Sequence, residues 1–402
     1  MIDVQTVSRR RKGLIVSLSF IDALVCAVCC AWCARACRNM VCFLVLVFFE
    51  FLNTALACGD TLTVLSSIFC LCIKHGFLYH IKSNLRVKEE IISLYTSKKE
   101  GVARGPEVIR AARVIEELKT LELDVRDYGD IVYDAKDIND ISNMSELGHV
   151  ASCTSRLSEQ IRQVLRDGRQ ALTIGGDHSL SIGTIDGHVK EKGDVAVIWV
   201  DAHADLNTNK TSESGNVHGM PVALLTSELA DYWPYLPGMD WQVPMLSIRN
   251  VAYIGLRSVD RYERLVIEKF GITAFGMEDI ERYGIHNVTH MALNKIDSHN
   301  SKSLHVSFDI DALDPLEAPS TGTPVRGGLS LREAIHLMEE IYRTRRLSAI
   351  DLVEVNPQIG TKQNVEITVE AAIHIIQAAL GYTRRGLKLP TGITDMPLQT
   401  FQ

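Results

Sequence analysis

Five short apolar runs, each passing without a break into a polar and chemically unusual segment, constrain this chain most: Ala171–Ile174, Val195–Val200, Val251–Ile254, Leu304–Phe308 and Ala349–Val353. Runs this short, rich in β-branched residues, read as strands buried on both faces. Helical spacing of apolar residues fills Pro106–Leu121, Thr154–Leu165, Ser258–Phe270, Leu331–Tyr342 and Val369–Leu380. Such alternation predicts a three-layer α/β/α domain around a mostly parallel, doubly wound sheet. The region shows neither an internal repeat nor a long linker.

The carboxyl ends of the five runs read Gly175-Gly176-Asp177-His178, Asp201-Ala202-His203-Ala204-Asp205, Gly255-Leu256-Arg257, Asp309-Ile310-Asp311 and Glu354-Val355-Asn356-Pro357. Open parallel sheets bind ligands just outside these strand ends, so the segments are expected to meet in one crevice. A spacing of two puts Asp201, His203 and Asp205 on one side of an extended chain, and Asp309 and Asp311 repeat the device.

With His178 these residues make four carboxylates and two imidazoles without a thiolate. That donor set suits manganese, with iron or cobalt as alternatives, better than structural zinc. Four carboxylates balance two divalent cations, some of them bridging, and two such ions can share a water and present hydroxide to an electrophilic carbon. Taken singly, an Asp-x-Asp is usually a solvated turn, a lone His a satisfied structural residue, and Gly-Gly-Asp-His a capped strand-to-helix turn. Together they would bury charge at prohibitive cost without cations.

The motifs Gly-Gly-Asp-His-Ser at 175–179, Asp-Ala-His-Ala-Asp at 201–205, Ser-Phe-Asp-Ile-Asp-Ala-Leu-Asp-Pro at 307–315 and Glu-Val-Asn-Pro at 354–357 stand in the order found in ureohydrolases. Over about Lys88 to Arg385 the chain resembles that family and, within it, the arginases. The resemblance implies manganese-dependent hydrolysis of L-arginine to L-ornithine and urea by a metal-bridging hydroxide. It implies two Mn²⁺ per chain, one on His178, Asp201, Asp205 and Asp309, the other on Asp201, His203, Asp309 and Asp311. It also implies that His218 shuttles protons and that Glu354 pairs with the substrate guanidinium.

The loop from Asp205 to His218 matches arginases in length and polar residues. By resemblance Asn207, Ser214 and Asn216 bind the substrate α-carboxylate and Asp260 the α-amino group; ordinary turn chemistry is the bland account of the first three. The family also suggests a homotrimer. Two positions depart from its pattern: Ala103 stands where a glutamate is usual, and Ser258 where an aspartate is common. Agmatinase, with the same metals and another tail pocket, is the nearest alternative; a membrane-tethered interaction protein that keeps the fold without turnover is a second.

A net charge of -7 argues against nucleic-acid binding, which needs a basic face to displace counterions. Nine of the ten cysteines precede residue 75 and sit in apolar runs, which points to a reducing compartment rather than a disulfide framework. Composition changes near residue 85, giving an apolar segment 1–87, a catalytic domain 88–386 and a tail 387–402. Gly13–Ala34 and Met40–Cys58 are each about the ~20 residues a membrane span needs. Three readings of residues 13–58 therefore compete: an anchor, a targeting segment, and an extension foreign to the working protein. The catalytic domain itself is expected in the cytoplasm or mitochondrion.

Overall fold

The computed structural model describes residues 88–93 (as backbone), 101–138, 141 and 143–384. The three readings of the apolar segment 1–87, and the tail 387–402, lie outside the described residues. Among the described residues no helix is long and apolar enough to cross a membrane.

Eight strands form one sheet: β1 (Lys88–Ser93), β2 (Asp124–Asp130), β3 (Arg169–Ile174), β4 (Val195–Val200), β5 (Val251–Leu256), β6 (Thr273–Gly276), β7 (Ser303–Asp309) and β8 (Leu347–Val353). Their order is β2-β1-β3-β8-β7-β4-β5-β6, and every pairing is parallel. The doubly wound parallel sheet expected from the sequence is thus present, and all five anticipated strands lie within it.

The period of two decides which side chain goes to which layer. Ala196, Ile198 and Val200 of β4 join Ala252 and Ile254 of β5 in the core under one helical layer, while Val195, Val197 and Trp199 join Val251 and Tyr253 under the other. On the first face lie α7 (Met277–Ile296), α8 (Leu331–Arg343) and α9 (Lys362–Ala379). On the second lie α3 (Leu147–Arg166), α4 (Ser181–Lys192) and α6 (Arg261–Phe270). A strand covered on both faces has no polar side, which is why these runs read as uniformly apolar.

Several boundaries differ from expectation. Pro106–Leu121 is two helices, α1 (Gly105–Ala111) and α2 (Val114–Lys119), because Arg113 takes a left-handed φ of 67° between them. The helix expected at Ser258 starts at Arg261, after Asp260 in extended conformation. The helix expected at Val369 starts seven residues earlier, where Thr361 and Asn364 form a capping box. A short helix, α5 (Pro221–Leu225), follows the loop after β4.

Gly101 shows how the start of the domain meets the carboxyl end of β8. Its φ is 105°, and a Cβ there would lie 2.1 Å from Asn356 Oδ1, so only glycine allows the turn at 101–105 to pack on the Glu354–Pro357 segment. Ala103 is buried in that turn.

Candidate metal centre

The strand ends β3, β4, β7 and β8 lie side by side at the middle of the sheet, and their polar extensions meet as expected. His178 follows β3 at the head of α4. Its Nδ1 stands 3.1 Å from Asp201 Oδ2, 3.2 Å from Asp205 Oδ2 and 3.3 Å from Asp309 Oδ2. His203 Nδ1 stands 3.1 Å from Asp311 Oδ2 and 3.4 Å from Asp201 Oδ1. Asp201 is buried between the two imidazoles, and all six predicted metal residues are together.

The way they come together differs from the extended-chain picture. After Val200 the backbone bends, and Asp205 sits at φ 48°, in the left-handed region that a residue with a side chain adopts only when its surroundings impose it. Glu354 at the end of β8 is likewise left-handed, with φ 64°. Convergence is therefore made by turns at the strand ends rather than by continued strand.

Asp201, Asp309 and Asp311 are aimed by donors of their own. Trp199 Nε1 donates to Asp201 Oδ2 at 3.0 Å and the His203 amide to Asp201 Oδ1 at 2.7 Å. The Asp311 amide donates to Asp309 Oδ1 at 2.8 Å, and the Thr323 hydroxyl to Asp311 Oδ2 at 2.9 Å. The Trp199 indole stacks on the His178 ring at 4.0 Å. Arg257, the polar residue after β5, does not enter the cluster. Its guanidinium donates to backbone carbonyls, among them Asp311, Leu313 and Val325, and so fixes the turn after β7.

The electrostatics of the cluster follow from packing four carboxyl groups around two imidazoles. Burial, then the charge of Asp201, push Asp205 up to about 7; burial and neighbouring carboxylates raise Asp309 and Asp311 as well. Burial would raise Asp201 too, but the imidazoles of His178 and His203 outweigh it and hold that carboxyl below the usual range. Against the opposing effect of burial, Asp201 and Asp311 lift His203 to about 12, and the three carboxylates around His178 raise it well above an ordinary imidazole. Four ionised carboxylates against two protonated imidazoles would leave two negative charges uncompensated, and the raised Asp205, Asp309 and Asp311 express that cost.

Divalent cations fit this arrangement. His178 Nδ1 is buried and, despite three carboxylate oxygens around it, satisfies hydrogen-bond geometry with none of them. His178, Asp201 and Asp309 form one set able to hold an ion, and Asp201, His203 and Asp311 another, with Asp201 common to both. Oxygen and imidazole donors without thiolate match manganese-type coordination.

Beside the cluster opens a cavity of about 260 Å³ whose lining includes His178, His203, Asp205, Asp309, Glu354, His218, Asn207, Ser214 and Asp260. Glu354 Oε1 accepts from the His178 amide at 3.1 Å and stands 3.8 Å from His218 Nδ1. Asn207 Nδ2 donates to Asp260 Oδ2 at 2.9 Å, and Thr211 Oγ1 donates to Asn207 Oδ1 at 2.8 Å. Asn216 is on the same loop but outside the lining; its amide donates to Ser214 Oγ at 3.2 Å. Ser258, Glu263 and Thr323 line the cavity too. Sequence reading singled out Ser258 only as a departure. A capping box at Asp260 and Glu263 could have been anticipated from their spacing of three, but nothing local marks Thr323.

The family model described as "Arginase family" matches residues 92–381. The chain belongs to the arginase family. It is 41% identical over 299 residues to Arginase-1 of Sus scrofa, covering 74% of this chain and 93% of that protein. To "Arginase-2, mitochondrial" of Homo sapiens it is 42% identical over 292 residues, covering 72% and 82%. Among solved structures, the arginase from Bacillus caldovelox aligns with a TM-score of 0.67 at 34% identity, covering 74% of this chain and 99% of that one. Arginase activity goes with this membership.

Proposed function

We propose that this arginase binds two Mn²⁺ and hydrolyses the guanidinium group of L-arginine, releasing urea and L-ornithine. The observation that carries the metal assignment is His178 Nδ1, buried, free of hydrogen bonds and 3.1–3.3 Å from three carboxylate oxygens. His178, Asp201, Asp205 and Asp309 would hold one ion, and Asp201, His203, Asp309 and Asp311 the other. When bound, such a pair supplies Lewis acidity and lowers the pKa of water toward neutrality.

The chain's own residues do the rest. Glu354, held by the His178 amide, offers its carboxylate to the guanidinium at the mouth of the cluster and orients its carbon. His218, partly exposed and within 3.8 Å of Glu354, gives a proton to the leaving amine nitrogen, directly or through water. Asn207 and Ser214, which line the cavity, receive the α-carboxylate, with Asn216 beside them on the same loop completing that pocket, and Asp260, which braces Asn207, receives the α-amino group. A homotrimer, carried over from the family, completes the proposal and is read by light scattering.

Urea release from L-arginine by the purified chain tests this reading. Activity should vanish on chelation and return on adding Mn²⁺. Full activity in exhaustively metal-free protein would overturn it.

A further inference from the structure

A second group of metal-type side chains lies across the seam between α7 and α8, outside the cavity lining. α7 carries His286 and His290 one turn apart, and α8 carries His336 and Glu340 one turn apart. Residues four apart share a helix face, and the two helices pack together, so these four side chains face one another. His286 Nδ1 is 3.3 Å from His336 Nε2; Glu340 Oε1 is 3.7 Å from the former and 3.8 Å from the latter.

A tetrahedral cation with bonds of ~2.0–2.2 Å sets its ligand atoms about 3.3–3.6 Å apart, close to this triangle. Of the outer partners, His290 and Glu339 suit a ligand set, whereas Arg384 can only donate and so works against the Nδ1–H tautomer that leaves His336 Nε2 open to a cation. His290 Nε2 lies 3.1 Å from Glu340 Oε2 and orients the carboxylate, while the other nitrogen of His336, Nδ1, faces Glu339 Oε2 at 3.7 Å and Arg384 Nη2 at 3.5 Å. Glu340 is buried at 7% exposure and His286 is 54% exposed, so the group is anchored at one end and open to solvent at the other.

We propose that His286, His336 and Glu340 form a second cation site, separate from the catalytic centre, for one late first-row divalent ion of the zinc class. Two imidazoles with one carboxylate favour that class over magnesium or calcium, which take oxygen ligands. The fourth position faces water. Arg343 also reaches Glu340 Oε1, so its guanidinium is the carboxylate's counter-ion without a metal; its half-exposed side chain swings to solvent when a cation arrives. The site has a mechanical consequence. Gly284 breaks the α7 helix at φ 74°, two residues before His286, and a cation shared with α8 clips the limb beyond that break to its neighbour.

Equilibrium dialysis of the Mn-loaded full chain against Zn²⁺, with zinc counted per chain, tests the site. Zinc that enters the catalytic centre is common to all forms and cancels in the comparison. The unmutated chain should hold one zinc more than His336→Ala, whose binding at this site weakens by at least about tenfold. Arg343→Ala should bind zinc more tightly than the unmutated chain, and urea release should be the same in all three. His286→Gln, at an exposed side chain, should reproduce the loss without disturbing packing. Equal zinc uptake by the unmutated chain, His336→Ala and His286→Gln would reduce the cluster to a hydrogen-bonded histidine pair and overturn the proposal.

Discussion

His178 Nε2 stands 2.9 Å from Ser307 Oγ, and this contact commits the ring's other nitrogen to the carboxylate cluster. Ser307 in turn donates to Asp351 Oδ2 at 3.2 Å, a buried oxygen that also accepts from Thr184 Oγ1 at 2.7 Å and meets His305 Nε2 at 2.9 Å. The orientation of one metal-type imidazole is thereby fixed by residues on β7, β8 and α4. Asp351→Asn should loosen that support and weaken Mn²⁺ binding by about 10–100-fold, with turnover recovering at high Mn²⁺. A manganese titration followed by urea release reads both effects.

Metal content gives a second check. The active chain should contain two Mn per polypeptide by elemental analysis. Asp205→Ala should lose one ion preferentially, since Asp201 and Asp309 remain to hold the other. One metal in a fully active chain would refute the two-ion account.

Metal affinity should rise with pH. Asp205, raised to about 7, keeps its proton in the metal-free cluster above its ordinary range, as do Asp309 and Asp311, and His203 keeps its own up to about 12. For each the folded pKa lies above the unfolded one, so the stability it lends is full below the unfolded value and is lost as pH climbs to the folded value. For Asp205 that window runs from 3.8 to about 7. A cation must displace these protons, so the gap in Tm between loaded and metal-free chain should widen from about pH 5 to about pH 8. A constant gap across that range would contradict the linkage.

His218→Ala should lower kcat by ~10²–10⁴-fold, the usual cost of losing a general acid. Manganese content should not change, because the role assigned to this side chain concerns protons alone. Unchanged turnover with full metal would remove it from the mechanism.

The central strands and the convergence of the six residues proposed as metal ligands were legible because a strand buried on both faces has an unmistakable composition and because charge of that density at its end has few structural explanations. Less was legible where tertiary contacts override local pattern. α4 contains Gly183 and Gly187, which look like helix breakers, yet a Cβ at Gly183 would sit 2.4 Å from the Thr154 carbonyl: the glycines are there to let α3 approach. β2 is a half-exposed edge strand with a polar sequence, and β6 has only four residues, so neither carries a buried-strand signature. The left-handed turns at Asp205 and Glu354, and the Arg257 anchor on the β7 turn, depend on partners distant in sequence and leave no local mark.

Substrate preference tests the account most directly, because agmatine is L-arginine without the α-carboxylate. Agmatine would leave the second hydrogen of Asn207 Nδ2, whose first goes to Asp260, and Ser214 Oγ on the same loop without the carboxylate proposed to meet them. Unpaired groups of this kind typically cost ~1–3 kcal/mol each, which over two contacts amounts to about thirtyfold or greater. The measurement is kcat/KM for the two substrates in the Mn-loaded chain, repeated in Asn207→Ala. The account predicts a strong preference for L-arginine that shrinks in the variant through a higher KM for arginine, with agmatine turnover nearly unchanged. Comparable specificity constants in the unmutated chain would contradict it.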